Sequence, residues 1–548
     1  MRASATESSE RFDFIVAGAG SAGSVLAARL SACGRFRVLL LEAGPTDHHP
    51  WIQIPVGVTK LFTNPSVNWC FETEPVAALD GRCIYQPRGK VLGGTSSING
   101  MVYMRGTPAD YDGWRQRGCT GWDWQSVLPY FKKSQHQARG SDALHGVDGP
   151  LNVSDIVEPF ALSRACVAAA IEAGIPANND FNGPEQEGTG FYQFTIASNG
   201  RRASASRAFL DRTARNRSNL EIVTQALAER IVIEEGRAVG IVYERHGEQR
   251  TAYADAEVIV AGGVFGSPQL LQLSGIGPGD VLQQAGVPVN VERASVGRNL
   301  HDHFNVHLTY KCTGASPVTL NDLAHSPSKR LRAGLQYALT GRGLLATSGV
   351  CAGVFTRTDP RLETPDLQIN LLLYSSAGRA ESGILPHPFS AFAFSLVHLR
   401  SESRGCVSIT GPRASQAPSI EMNFLSTEYE RRAMIEAMRI GRRIGAQPSL
   451  AAFVEREILP GPNVASDEEV LADLRARGLA NYHPVGTCRM GGDPDAVVDP
   501  RLRVNGVTNL RIADASIMPQ IPSGNTNAPS IMIGEKAADM ILADARMP

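Results

Sequence analysis

One titratable ring and one carboxamide near the C-terminal end have the chemistry needed to hold and deprotonate a hydroxyl group. The ring is His483 in Tyr482-His483-Pro484-Val485-Gly486-Thr487, and the carboxamide is Asn527 in Gly524-Asn525-Thr526-Asn527-Ala528-Pro529. Histidine titrates near neutrality and moves a proton, whereas asparagine hydrogen-bonds an oxygen without competing for that proton. The surrounding Pro and Gly residues set rigid turns. A histidine beside Pro and Gly is more commonly a packed or surface residue, so the pair acquires meaning only if the rest of the chain gives it a reaction partner.

That partner is indicated at the other end. Phe12-Asp13-Phe14-Ile15-Val16-Ala17 reads as a strand buried on both faces, followed by Gly18-Ala19-Gly20-Ser21-Ala22-Gly23 and a helix from Ser24 to Leu30. Strand, glycine turn and helix in this order suit a pyrophosphate. The glycines allow a tight turn and close backbone approach, and the helix N-terminus offers free N–H groups. A second strand, Arg37-Val38-Leu39-Leu40-Leu41, ends at Glu42, about twenty residues beyond the last glycine, where an acid accepts hydrogen bonds from a ribose. An acid at this position argues against a 2′-phosphate. NAD and FAD both remain open on the motif alone.

The 548 residues predict two or three domains and a core able to enclose a large cofactor. A net charge of -1 gives no electrostatic footprint for nucleic acid. Nine cysteines, none in a Cys-X-X-Cys pair, argue against a disulfide framework or a zinc site and suit a cytoplasmic setting. The polar stretch Met1–Glu10 reads as a short disordered lead-in rather than a signal peptide. No apolar run is long enough for a transmembrane helix, and a peripheral membrane contact is compatible with the sequence.

A second glycine-rich stretch, Gly89-Lys90-Val91-Leu92-Gly93-Gly94-Thr95-Ser96-Ser97-Ile98-Asn99-Gly100-Met101-Val102-Tyr103, can bring backbone N–H groups and hydroxyls against a flat ligand. It resembles the first signature of the glucose-methanol-choline (GMC) oxidoreductases, which bind FAD. Gly263-Val264-Phe265-Gly266-Ser267-Pro268 through Gly277 resembles the second signature, with Val264 and Gly266 where a small residue and Asn are usual. Gly297-Arg298-Asn299-Leu300-His301-Asp302-His303 is similar to a further family segment, with Arg298 and His301 in place of an acid and an amide. The His-Asp-His run has no further ligands at helix spacing, so no metal is expected. The similarity runs from Phe12 to Leu542, and overall the chain resembles choline dehydrogenase-like and sorbose dehydrogenase-like members.

The resemblance implies an α/β chain, α+β overall, with a Rossmann-like FAD-binding domain and a substrate domain built on an antiparallel sheet. The FAD-binding domain is expected to be discontinuous, from residues 12–155, 205–310 and 470–548, leaving 156–204 and 311–469 for substrate. Flavin contacts are implied for Gly18, Gly20, Ser21, Ala22 and Gly23 in the glycine turn, then for Glu42, Ala43, Trp69 and Arg88. The first signature would add Val91, Gly93, Ser97, Asn99, Gly100, Met101 and Val102. Ala228, Asp514, Ala515, Asn525, Thr526 and Asn527 complete the set. The helix read from Ser530 would favour negative charge on the flavin.

By the same resemblance His483 matches the family's active-site histidine and Asn527 its partner, and the implied reaction is hydride transfer from a primary alcohol to FAD with His483 as general base. Members with covalent flavin carry a histidine at the position of Ile98, so noncovalent FAD is expected. Oxygen or a quinone-like acceptor would reoxidise it, and a homodimer is compatible with the family. Alternatives are the non-oxidative chemistry of hydroxynitrile lyases or photodecarboxylases, or a choline, polyol or sugar dehydrogenase. Photodecarboxylases carry a cysteine before an arginine where this chain has Leu399-Arg400. The runs Asp366–Tyr374 and Ala391–Leu399 predict an antiparallel sheet with one face toward substrate and helices behind it. The Leu, Phe and Ala of this middle region lean toward an apolar or aromatic alcohol.

Overall fold

A computed structural model describes residues 10–156, 159–314 and 318–545. The lead-in read at the N-terminus falls at residues 1–9, outside these, and Glu10 already opens the first strand. Two seven-stranded sheets organise the chain. In the first, strand Glu10–Ala17 lies between Val38–Glu42 and Glu248–Val260, parallel to both. Leu220–Thr224 and Leu510–Ile512 extend it in parallel on either side, and the antiparallel strands Arg237–Arg245 and Ala226–Glu234 complete it. Strands Val38–Glu42 and Phe14–Ala17 are buried throughout or nearly so, as an apolar run covered on both faces requires.

Helix Ser21–Ser31 follows the glycine turn and packs against the C-terminal helix Asn527–Asp544. Their approach is close enough that a Cβ on Gly534 would sit 2.8 Å from the Ala22 carbonyl oxygen. Arg29 clamps the pair through two hydrogen bonds to the buried carboxylate of Glu535, at 2.9 and 2.7 Å. The C-terminal helix begins at Asn527 rather than at Ser530. Pro529 occupies its first turn, where a missing N–H leaves no hydrogen bond unmade, so proline does not delay the helix.

The second sheet is antiparallel, in the order Val454–Leu459, Phe304–Cys312, Ala391–His398, Leu367–Leu372, Val350–Thr356 and Gly188–Phe191. The expected boundary at 310 falls inside strand Phe304–Cys312. After Val260 the chain runs through helices Gly263–Leu273 and Gly279–Gln284 and enters the second sheet from the stretch containing Asp302. Side chains alternate across this sheet. Val306, Leu308 and Tyr310, with Phe392, Phe394 and Leu396, face a core closed by helix Glu428–Gly445. The opposite face carries Asn305, His307 and Thr309, with Ser395 and Asn370, and lines a cavity.

Candidate active site

A single cavity of about 900 Å³ runs from the first glycine turn to the polar face of the second sheet. At the dinucleotide end Gly18 takes φ +105°, and a Cβ there would meet the Ala261 carbonyl oxygen at 2.4 Å. Gly20 has no protein atom within 4 Å of where a Cβ would sit, because that direction opens into the cavity. Glu42 is buried, accepting from the N–H of Ala19 at 3.0 Å and of Gly44 at 2.9 Å. Burial pushes its carboxyl up to about 7, against the pull of those N–H groups and Lys90.

Most of the expected contacts line this cavity: Gly18, Gly20, Ser21, Ala22, Glu42, Ala43, Trp69, Arg88, Asn99, Gly100, Met101, Val102, Ala228, Asp514, Ala515, Asn525, Thr526 and Asn527. Gly23, Val91, Gly93 and Ser97 do not, and stand behind the lining. Gly23 is buried in its helix against the Gly18 carbonyl, and Val91 belongs to a small core with Ile52, Leu61, Val67 and Ile98. Gly93 turns at φ +90°, and Ser97 donates to the Leu92 carbonyl at 2.8 Å. Asp514 is itself occupied, accepting from Gly263 N–H, the Ser267 hydroxyl and Ser516 N–H at 2.6–2.9 Å.

An arginine that the sequence did not single out locks the first signature. Arg202 is 1% exposed, and its guanidinium donates to the carbonyls of Ile52, Ser96 and Asn99 and to the Asn99 side chain. Burial with no carboxylate partner lowers its pKa to about 9. No motif surrounds it, and its partners lie about a hundred residues upstream in the chain.

At the other end of the cavity stands His483. Its backbone N–H donates to Asp302 Oδ1 at 2.8 Å, which ties the histidine turn to the segment entering the second sheet. Its Nδ1 lies 3.1 Å from His303 Nδ1 and 3.3 Å from the Asn481 carboxamide. Burial, reinforced by Arg88, lowers the His483 pKa to about 3, so the ring is neutral. Its Nε2 accepts from the Asn525 carboxamide at 3.0 Å. Asn527 is turned away: its Oδ1 accepts from the Ser21 hydroxyl at 2.8 Å, because it is the first residue of the C-terminal helix and faces the N-terminus of the neighbouring one. The structure therefore brings Asn525, not Asn527, to His483.

The donor set suits a large polar aromatic cofactor. Buried polar atoms left without a protein partner include Asn525 Oδ1, Ser348 Oγ, and Nε and one terminal nitrogen of Arg88, all on residues that line the cavity. Arg88 is half-buried, and its desolvation lowers its pKa to about 10 against the pull of Asp302. The open cradle at Gly20, the aromatic faces of Trp69 and Phe71, and these unpaired polar atoms together fit FAD.

The fold and cavity thus define a dinucleotide-binding oxidoreductase whose cavity is walled on one side by a second sheet. Family models described as GMC oxidoreductase match residues 12–305 and 401–534, and the chain belongs to that family, whose members imply FAD as cofactor. It is 43% identical over 546 residues to the oxygen-dependent choline dehydrogenase of Vibrio vulnificus (strain YJ016), covering 98% of this chain and 96% of the relative. It is 41% identical over 540 residues to an alcohol dehydrogenase (acceptor) of Pseudomonas putida, with 98% and 96% covered. Among solved structures, pyridoxine 4-oxidase from Mesorbium loti superposes with a TM-score of 0.86 at 32% identity, over 96% of this chain and 98% of that one.

Proposed function

We propose that the protein oxidises a neutral primary alcohol to the aldehyde, with His483 as general base and Asn525 as the donor that holds the alcohol oxygen. The observation that carries this reading is the neutral, half-buried imidazole of His483 facing Asn525 inside the cavity. Bound FAD supplies the acceptor for the hydride that leaves the alcohol carbon. The accompanying proton goes from the hydroxyl to His483 Nε2, and the carbon–oxygen bond becomes the carbonyl. This role requires the Nδ1–H tautomer, with His303 Nδ1, 3.1 Å away, as its acceptor, so that Nε2 keeps the lone pair that faces Asn525. As hydride departs, charge builds on the alcohol oxygen, and the Asn525 N–H group is placed to stabilise it. Oxygen or a quinone-like acceptor closes the cycle.

The wall beyond His483 favours a neutral substrate. Asn305 donates to the Ala480 carbonyl at 2.8 Å, and Asn370 is oriented by the Tyr192 hydroxyl at 2.8 Å. The carboxylates that line the cavity are Glu42 and Asp514, both committed to backbone N–H groups of the dinucleotide half. The Tyr85 face that could receive a cation is covered by Arg379, 4.1 Å from the ring centre. Among the described residues, no carboxylate lines the second sheet's side of the cavity to offset a quaternary ammonium. Under anaerobic conditions short neutral alcohols and diols are expected to bleach bound FAD with kcat/KM at least ~10-fold above choline, the penalty of an unpaired buried charge. Equal or better reduction by choline would refute this substrate assignment, and a flavin left oxidised by every alcohol would refute the dehydrogenase reading itself.

FAD is held without a covalent bond. Ile98 lines the cavity within an apolar cluster and offers no nucleophilic atom. Acid precipitation is expected to release the yellow colour into the supernatant, and colour retained in the pellet would contradict this.

A further inference from the structure

Helix Pro327–Thr340 stands out because its apolar residues point away from the protein. Leu331, Leu335 and Leu339 are 66%, 55% and 83% exposed, while Ala333 is the one buried residue of the helix. At 100° per residue the three leucines span an arc of roughly 80° opposite Ala333, so the stripe faces solvent and the small residue faces the body of the protein. Scattered exposed leucines are ordinary, but three in one row on a single helix are not.

The charge around the stripe is of one sign. No acidic residue occurs between positions 323 and 358, whereas Lys329, Arg330, Arg332 and Arg342 all fall there. Lys329 pairs with Asp322 at 2.8 Å. Arg330, Arg332 and Arg342 have no ion-pair partner among the described residues, although the chain as a whole carries a net charge of -1. An exposed leucine row edged by unpaired arginines on an otherwise neutral protein is complementary to an anionic lipid surface, where leucines enter the headgroup boundary and arginines meet lipid phosphates. The helix also lies beside the active-site cavity. Ala333 shares its packing cluster with Tyr374, which lines the cavity, and the neighbouring Ala377, Gly378 and Arg379 line it while being exposed.

We infer that helix Pro327–Thr340 docks the protein on an anionic bilayer, lying in the interface with its leucine row inserted. None of its helices among the described residues is long and apolar enough to cross a membrane, so the contact is peripheral. The test uses the full chain with FAD bound and co-sedimentation with vesicles of phosphatidylcholine alone or mixed equally with phosphatidylglycerol. Binding is expected only to the mixed vesicles and is expected to weaken as salt rises. The variant L331Q/L335Q/L339Q should lose sedimentation, and R330Q/R332Q/R342Q should bind on the order of a hundredfold more weakly. Both should keep their flavin and the alcohol-to-dye activity in solution. Failure of the wild type to bind mixed vesicles would overturn the inference, as would undiminished binding of the leucine variant. A wild-type dimer by light scattering that the leucine variant converts to monomer would overturn it too, since the stripe would then be covered by a second copy.

Discussion

Alanine at position 483 is expected to slow anaerobic flavin reduction by alcohol ~10²–10⁴-fold while FAD stays bound, the usual worth of a positioned general base. The argument is geometric. His483 is held by its own N–H on Asp302 and by its ring nitrogen on His303, so removing the ring takes away the proton acceptor without removing a ligand of the dinucleotide half. Stopped-flow absorbance at the flavin band reads the rate, and flavin content confirms retention. Asn525→Ala should cost ~10²-fold in the same step. Asn527→Ala should instead loosen FAD, since that side chain serves the Ser21 end of the site. A His483→Ala variant reduced at the wild-type rate would remove the base assignment, and a rate loss in Asn527→Ala exceeding that in Asn525→Ala would restore the roles the motif first suggested.

The pH dependence has a definite sign. Burial lowers the His483 pKa below its ordinary 6.5, and a lowered pKa favours the neutral imidazole that accepts a proton. The reductive rate should therefore persist as pH falls through 6.5, with its acid limb displaced to lower pH.

Gly23→Ala is expected to yield protein whose affinity for FAD is ~10- to 100-fold weaker, with its far-ultraviolet dichroism largely intact. A Cβ at this position would lie 1.8 Å from the Gly18 carbonyl oxygen and 3.2 Å from the Ala261 Cβ. Neither backbone neighbour is the flexible end of a side chain, so helix Ser21–Ser31 must move away from the glycine turn. Gly20→Val is the informative comparison, because position 20 faces open space in the protein. That variant should fold normally and fail in cofactor binding, through direct obstruction of the cavity. Titration of stripped protein with FAD by flavin fluorescence measures both. Full flavin occupancy in Gly20→Val would show that the cofactor does not pass over this turn.

The dinucleotide half was legible because its chemistry is local. Phe12–Ala17, the Gly18–Gly23 turn and Glu42 follow one another within a single strand-helix-strand unit, and the structure places them as that unit demands. What escaped was assembled over distance. His303 and Asp302 reach His483 across about 180 residues, and Arg202 reaches back to Asn99 across about a hundred, with no spacing rule to announce either. Asn525 and Asn527 stand in the same turn, and only the start of a helix at Asn527 decides which of them meets the imidazole. The lean toward an apolar alcohol rested on composition that pools both faces of a sheet, and the cavity face carries Val350 and Leu372 beside its polar residues. Phe392, Phe394 and Leu396 are on the far side, and the strand reading Asn305, His307, Thr309 at every second position showed the polar side directly.

That two-faced sheet bears on how such an enzyme diversifies. The residues that line the cavity and those that hold the strands together sit on alternate positions of the same chain segments, back to back across one layer of backbone. Exchanges at Asn305, His307, Asn370 or Ser395 redraw the chamber without opening a void behind it. The shape of the cavity is therefore a trait that single substitutions can explore while the scaffold and the glycine turn stay as they are.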